Sequence, residues 1–190
     1  QPICLAMGNI AVQQLKFLKN GPASGRGRRT RPKTVRFIAP LSRCAPAVPM
    51  VFEQVMQGLP KTQGMEQLNA VNLVFNRAPY IVDPINWGVP DFWATVHEFL
   101  SRDGDCEDYA IAKYVALKRL GFPKEKMRIV VVDDVNLRTA HAVLMVEMDG
   151  QRWILDNQVS SVLPDTSIYH YRPIYSINEL AWWQHVSRRY

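Results

Sequence analysis

Acidic residues are missing from the first 52 positions of this 190-residue chain, which hold nine Lys or Arg and leave 14 basic against 17 acidic residues after them. The formal charge of +6 therefore belongs to the N-terminal quarter, and the remainder carries about −3. The basic run Arg26-Gly27-Arg28-Arg29-Thr30-Arg31-Pro32-Lys33 has no interleaved aromatics and matches no nucleic-acid-binding module, so nucleic acid is not an expected partner. No apolar run reaches the roughly 18 residues of a membrane-spanning helix. Cysteine is scarce: Cys4, Cys44 and Cys106 make an odd set with no Cys-x-x-Cys pair and no zinc-ligand spacing. No signal peptide is evident, because the apolar stretch over residues 37–45 is short and broken by Pro40 and Arg43.

What is present suits one folded domain. A hydrophobic fraction of 47% and a charged fraction of 21% are those of an ordinary globular chain. The expected organisation is a basic, poorly ordered or divergent segment over residues 1–48, with a Gly-, Pro- and Arg-rich stretch at 21–33, followed by a single domain over 49–190. Residues 1–20 carry a weak helical pattern through Ile10, Leu15 and Leu18. Val51, Phe52, Val55, Met56 and Leu59, and then Leu68, Val71 and Phe75, recur at the spacing of two amphipathic helices. Residues 79–93 hold three prolines inside the segment and four aromatics, Tyr80, Trp87, Phe92 and Trp93, which predicts an irregular loop that either roofs the core or walls a cleft.

The stretch Asp103-Gly104-Asp105-Cys106-Glu107-Asp108-Tyr109-Ala110 reads as a nucleophile at a helix start. Asp103 and Asp105 are good N-cap types, a mostly apolar run follows, and Gly121 and Pro123 supply the stop. Cys106 then sits in the first turn, where the helix dipole favours a thiolate. Four carboxylates within six positions oppose that ionisation. Either the acids cap the helix and face water, or some of them bind a hard cation that cancels their charge.

Downstream, residues 128–132 and 141–148 read as strands, and Asp149-Gly150 is a strong hairpin signal. A two-residue loop sets Met148 opposite Gln151 and Asp156 opposite Val143, so that His141 and Asp156 project from the same side of the sheet. Cysteine, histidine and aspartate in that order make a nucleophile, a base and an orienting carboxylate. His97, His170 and His185 have no such partner and read as structural or surface residues. Ser176-Ile177-Asn178-Glu179 has the form of a capping box, which predicts a terminal helix through Trp182 and Trp183.

Asn86-Trp87-Gly88-Val89-Pro90-Asp91-Phe92-Trp93-Ala94-Thr95, Gly104 to Tyr114, Thr139 to Val143, Trp153 to Asn157 and Pro173 to Asn178 together resemble the bacterial transglutaminase-like cysteine proteinases, and within them the LapG-type periplasmic proteases. The resemblance spans about residues 65–185. It implies an α+β, papain-like core with the cysteine helix packed on an antiparallel sheet. It also implies a triad of Cys106, His141 and Asp156, and a calcium ion on Asp105, Glu107 and Asp108. The implied function is calcium-dependent cleavage of a large surface adhesin near its N-terminus, at an Ala-Ala site, controlling biofilm release. An inner-membrane cyclic di-GMP receptor is the implied inhibitor, and Trp93, taken as exposed, is the candidate partner anchor. Transfer of the same acyl group to an amine, or a catalytically silent calcium- or partner-binding module, are the alternative readings.

Overall fold

The computed structural model describes residues 48–185, so the expectations for the basic segment and for residues 1–20 lie outside the described residues. Helices α1 (Val48–Gln57) and α2 (Met65–Phe75) occupy the two stretches of helical spacing. They bury Phe52, Met56, Leu68, Val71 and Phe75 of the apolar pattern, Leu59 is buried just beyond α1, and Val51 is exposed. A short α3 (Asp83–Asn86) interrupts the Pro-rich loop, with Pro84 pre-set for its first turn. Helix α4 (Val96–Arg102) starts on a capping box, in which Thr95 Oγ1 accepts from the Glu98 N–H at 3.2 Å and Glu98 Oε2 accepts from the Thr95 N–H at 2.7 Å.

Helix α5 (Cys106–Arg119) is the centre of the core, with Ile111, Ala112, Tyr114, Ala116 and Leu117 all fully buried. It lies on one face of a six-stranded antiparallel sheet of β1 (Met127–Asp134), β2 (Thr139–Met148), β3 (Gln151–Leu155), β4 (Leu163–Pro164), β5 (Tyr171–Ile177) and β6 (Trp182–Gln184). The strand order is β4-β3-β2-β1-β5-β6. Met127, Ile129, Leu144, Val146 and Leu155 meet the helices, while Val130, Val132, Val143 and Ile154 form a second apolar cluster on the alternate face, joined by Tyr171. This is the α+β architecture expected. No described helix is long and apolar enough to cross a membrane.

The β2–β3 hairpin has the predicted register. Met148 pairs with Gln151 and Leu144 with Leu155, around a turn in which Asp149 and Gly150 both have positive φ, the geometry that matches the twist of the flanking strands. One expectation fails. Residues 182–184 are the edge strand β6 and no helix forms there: Ser176 is buried in β5 opposite Val130 and Trp183, so its backbone is committed to the sheet and cannot start a helix. Asn178 accepts at Oδ1 from the Leu180 and Ala181 N–H groups and closes the chain reversal instead. Glu179, read as the helix-capping acid, pairs with Lys118 on α5 at 2.6 Å.

Candidate active site

Gly104 decides how α5 begins. A Cβ built there would stand 2.2 Å from Asp108 Oδ2, so only glycine lets the Asp108 carboxylate fold back over the helix start. Asp108 Oδ2 accepts from the Asp105 N–H at 3.3 Å, and its Oδ1 from the Ala94 N–H at 2.7 Å. One buried carboxylate thereby ties the cysteine helix to the loop before α4. The Ile81 N–H bonds the Gly104 carbonyl at 2.9 Å, and the Tyr109 hydroxyl the Ala78 carbonyl at 2.5 Å, fixing the Pro-rich loop alongside.

Cys106, partly buried in the first turn, lines a cleft of about 310 Å³ with Tyr80, Asp83, Pro90, Asp91, Trp93, Asp105, Glu107, His141 and Tyr175 among its walls. Its thiol donates to Glu107 Oε2 at 3.4 Å. Burial, then the charges of Glu107 and Asp105, push the thiol above its ordinary range, against a lowering contribution from the Ala142 N–H. The net result is a thiol held protonated, with burial as the largest cause and the two flanking carboxylates adding to it.

Across the cleft, His141 Nε2 lies 2.9 Å from Asp156 Oδ1, with both side chains buried. Asp156 follows β3 directly, and the loop that carries it is clamped from α2. Asn76 Nδ2 donates to the Asp156 and Val159 carbonyls at 2.8 and 3.2 Å, and Asn72 Nδ2 to those of Val159 and Ser160 at 2.9 and 3.1 Å. These asparagines stand four apart on one helix face. Burial works to raise the Asp156 carboxyl, and bonds from His141, Tyr171 and the Gln158 N–H outweigh it and hold the group below its ordinary range.

The acidic side of the cleft is larger than the sequence reading made it. Asp105, Glu107 and Asp108 are joined by Asp83, whose carboxylate accepts from the Phe92 N–H, and by Asp91. Ligand oxygens of Asp83, Asp105 and Asp108 lie within 4.8 Å of one another, as do those of Asp83, Asp91 and Glu107. Burial first and then the neighbouring carboxylates raise Glu107 to about 9 and Asp108 to about 7. Asp105 Oδ1 is buried without a hydrogen-bond donor. An all-oxygen donor set of this charge fits a hard divalent cation such as calcium. Asp83 and Asp91 lie 22 and 14 positions before Asp105, and the only trace of them in the sequence is the acid content of the Pro-rich loop.

Trp93 requires a correction. It is only 4% exposed and forms part of the inner cleft wall, so it is no surface anchor: the Ala94 bond to Asp108 draws this segment inward. Tyr80 also walls the cleft, while the rings of Trp87 and Phe92 meet at a tilt with centroids 4.4 Å apart. His97 packs against Phe52 and His185 bonds Ser176 Oγ, consistent with structural roles.

The model of the bacterial transglutaminase-like cysteine proteinases matches residues 43–190. Among solved structures, Legionella pneumophila LapG is 32% identical at a TM-score of 0.64, over 72% of this chain and 77% of that one. Its calcium-bound form matches at 0.65 over 75% and 81%, and its EGTA-treated form at 0.66 over 75% and 78%, both again 32% identical. No curated protein matches the chain in sequence.

Proposed function

This chain belongs to the bacterial transglutaminase-like cysteine proteinases, and from that premise we propose that it is a calcium-dependent LapG-type endopeptidase working through Cys106, His141 and Asp156. The observation that carries the reading is the pairing of His141 with Asp156 at 2.9 Å in a cleft that Cys106 also lines. His141 takes the thiol proton as the sulfur attacks the scissile carbonyl carbon, and returns it to the leaving amine. Because Nε2 faces Asp156, this exchange falls to Nδ1, which has the Gln158 side-chain amide 3.4 Å away. Asp156 fixes the imidazole orientation and stabilises its charged form. Water then resolves the thioester, with His141 again as base.

Asp83, Asp91, Asp105, Glu107 and Asp108 are the candidate calcium ligands. Calcium bound there supplies positive charge that offsets the carboxylates facing the sulfur. The LapG-type resemblance further suggests a large surface adhesin as substrate, cut at an Ala-Ala pair near its N-terminus to release biofilm cells. It also suggests periplasmic action and restraint by an inner-membrane cyclic di-GMP receptor. A cleft walled by Tyr80, Trp93 and Tyr175 suits small residues beside the scissile bond. We take residues 49–190 as the protease domain.

The test is cleavage of an adhesin-derived peptide containing Ala-Ala. Wild type in calcium is expected to cut it, and Cys106→Ala, or wild type in excess chelator, to leave it intact. Cutting that survives Cys106→Ala would remove the nucleophile assignment. Efficient incorporation of a labelled amine in place of hydrolysis would favour acyl transfer.

A further inference from the structure

Asp156 is bonded at both of its oxygens, and only one bond goes to His141. Oδ1 receives His141 Nε2 and the Gln158 N–H, each at 2.9 Å. Oδ2 receives the hydroxyl of Tyr171 at 2.6 Å, a bond from a strand that neither His141 nor Asp156 belongs to. Tyr171 opens β5 opposite Asp134 of β1, and its ring lies 5.6 Å from that of His141 and 4.4 Å from that of His170. A carboxylate held at one oxygen alone can swing about its last torsion, carrying the imidazole with it. A second bond at the other oxygen removes that freedom. Burial and the adjoining Asp156 charge raise the Tyr171 hydroxyl, so it remains a proton donor across the working pH range.

We propose that Tyr171 is a positioning residue of the proteolytic site: its hydroxyl fixes the plane of the Asp156 carboxylate and thereby the direction in which His141 presents Nδ1 to the Cys106 side of the cleft. This rests on the reading of Cys106, His141 and Asp156 as a triad. The Tyr171 hydroxyl acts through Asp156. The sequence offers no motif for it, since a tyrosine 15 positions after Asp156 reaches the carboxylate only through the order β2-β1-β5 of the sheet.

Tyr171→Phe removes one oxygen and keeps the ring that packs on His141. The expected result on an Ala-Ala peptide is a fall in kcat of roughly 10- to 100-fold, the range for removing a group that orients a functional histidine, with KM unchanged. In an Asp156→Asn background the same substitution is expected to add less than about twofold, because the two act as one unit. Independently of any substrate, the Nε2 proton resonance of His141 is expected to move or broaden in Tyr171→Phe, a change that loss of a purely structural bond would not produce. An unchanged kcat and His141 resonance in Tyr171→Phe, where Asp156→Asn is inactive, would overturn the positioning role and leave the triad. Full activity of Asp156→Asn would overturn the triad reading and this proposal with it.

Discussion

The two acidic regions that flank the Cys106 cleft are in opposite states. On the sheet side, the single carboxylate of Asp156 is met by His141, Tyr171 and the Gln158 N–H, and its proton affinity is lowered despite burial. On the helix side, Asp105 and Glu107 face Cys106 as part of a cluster of five carboxylates, Glu107 and Asp108 have raised proton affinities, and a buried Asp105 oxygen meets no donor. A single buried charge met by donors orients its neighbour, whereas a cluster of like charges stores electrostatic repulsion that a cation or protons relieve. Donors from β2, β5 and the loop after β3 hold the first region, whereas the second has the all-oxygen composition that a hard cation fits.

Substitutions on the two sides should therefore separate cleanly. The largest effect is expected from Asp156→Asn, which leaves shape intact and lowers kcat by on the order of 10⁴, as loss of an orienting carboxylate does in comparable triads. Calorimetry should find its calcium affinity unaltered. The reverse pattern is expected for Asp83→Asn and Glu107→Gln, which should each weaken calcium by roughly one to two decades. Activity of these variants should return at saturating metal, and equal calcium binding by wild type and both variants would break the contrast.

Gly104→Ala should lower stability by roughly 1–3 kcal/mol in chemical denaturation, since its Cβ must displace the Asp108 carboxylate that caps α5. An effect that depends on pH is expected at Lys113, a fully buried amine on α5 whose Nζ has no hydrogen-bond partner and which burial lowers from 10.5 to about 7. Between those values the unfolded chain holds the proton that the folded chain has released. Stability should accordingly rise with pH across that window, by up to about 1.4 kcal/mol per unit. Lys113→Met should flatten this slope, and a slope that survives the substitution would assign it elsewhere.

The sheet side was legible because its geometry is local. Asp149-Gly150 fixes the hairpin, the hairpin fixes the register, and the register brings His141 and Asp156 to one side. The start of α5 was legible for the same reason. Tyr171, Asn72 and Asn76 were not, because they reach Asp156 and its loop from elements that sequence distance does not connect. Asp83 and Asp91 stayed hidden in a Pro-rich loop whose path depends on the Asp108 and Gly104 bonds. The capping-box pattern over 176–179 is real but pairing with β1 overrides the terminal helix it predicts, and nothing local shows the loop that carries Trp93 folding inward.

The most direct measurement is the alkylation rate of Cys106, followed by peptide mapping to separate it from Cys4 and Cys44, at fixed neutral pH with and without calcium. Burial and then the neighbouring carboxylates hold this thiol protonated, so saturating calcium is expected to raise the rate by roughly an order of magnitude or more, and Glu107→Gln to narrow the difference. A rate indifferent to calcium, in a protein that demonstrably binds it, would contradict the coupling of metal and nucleophile.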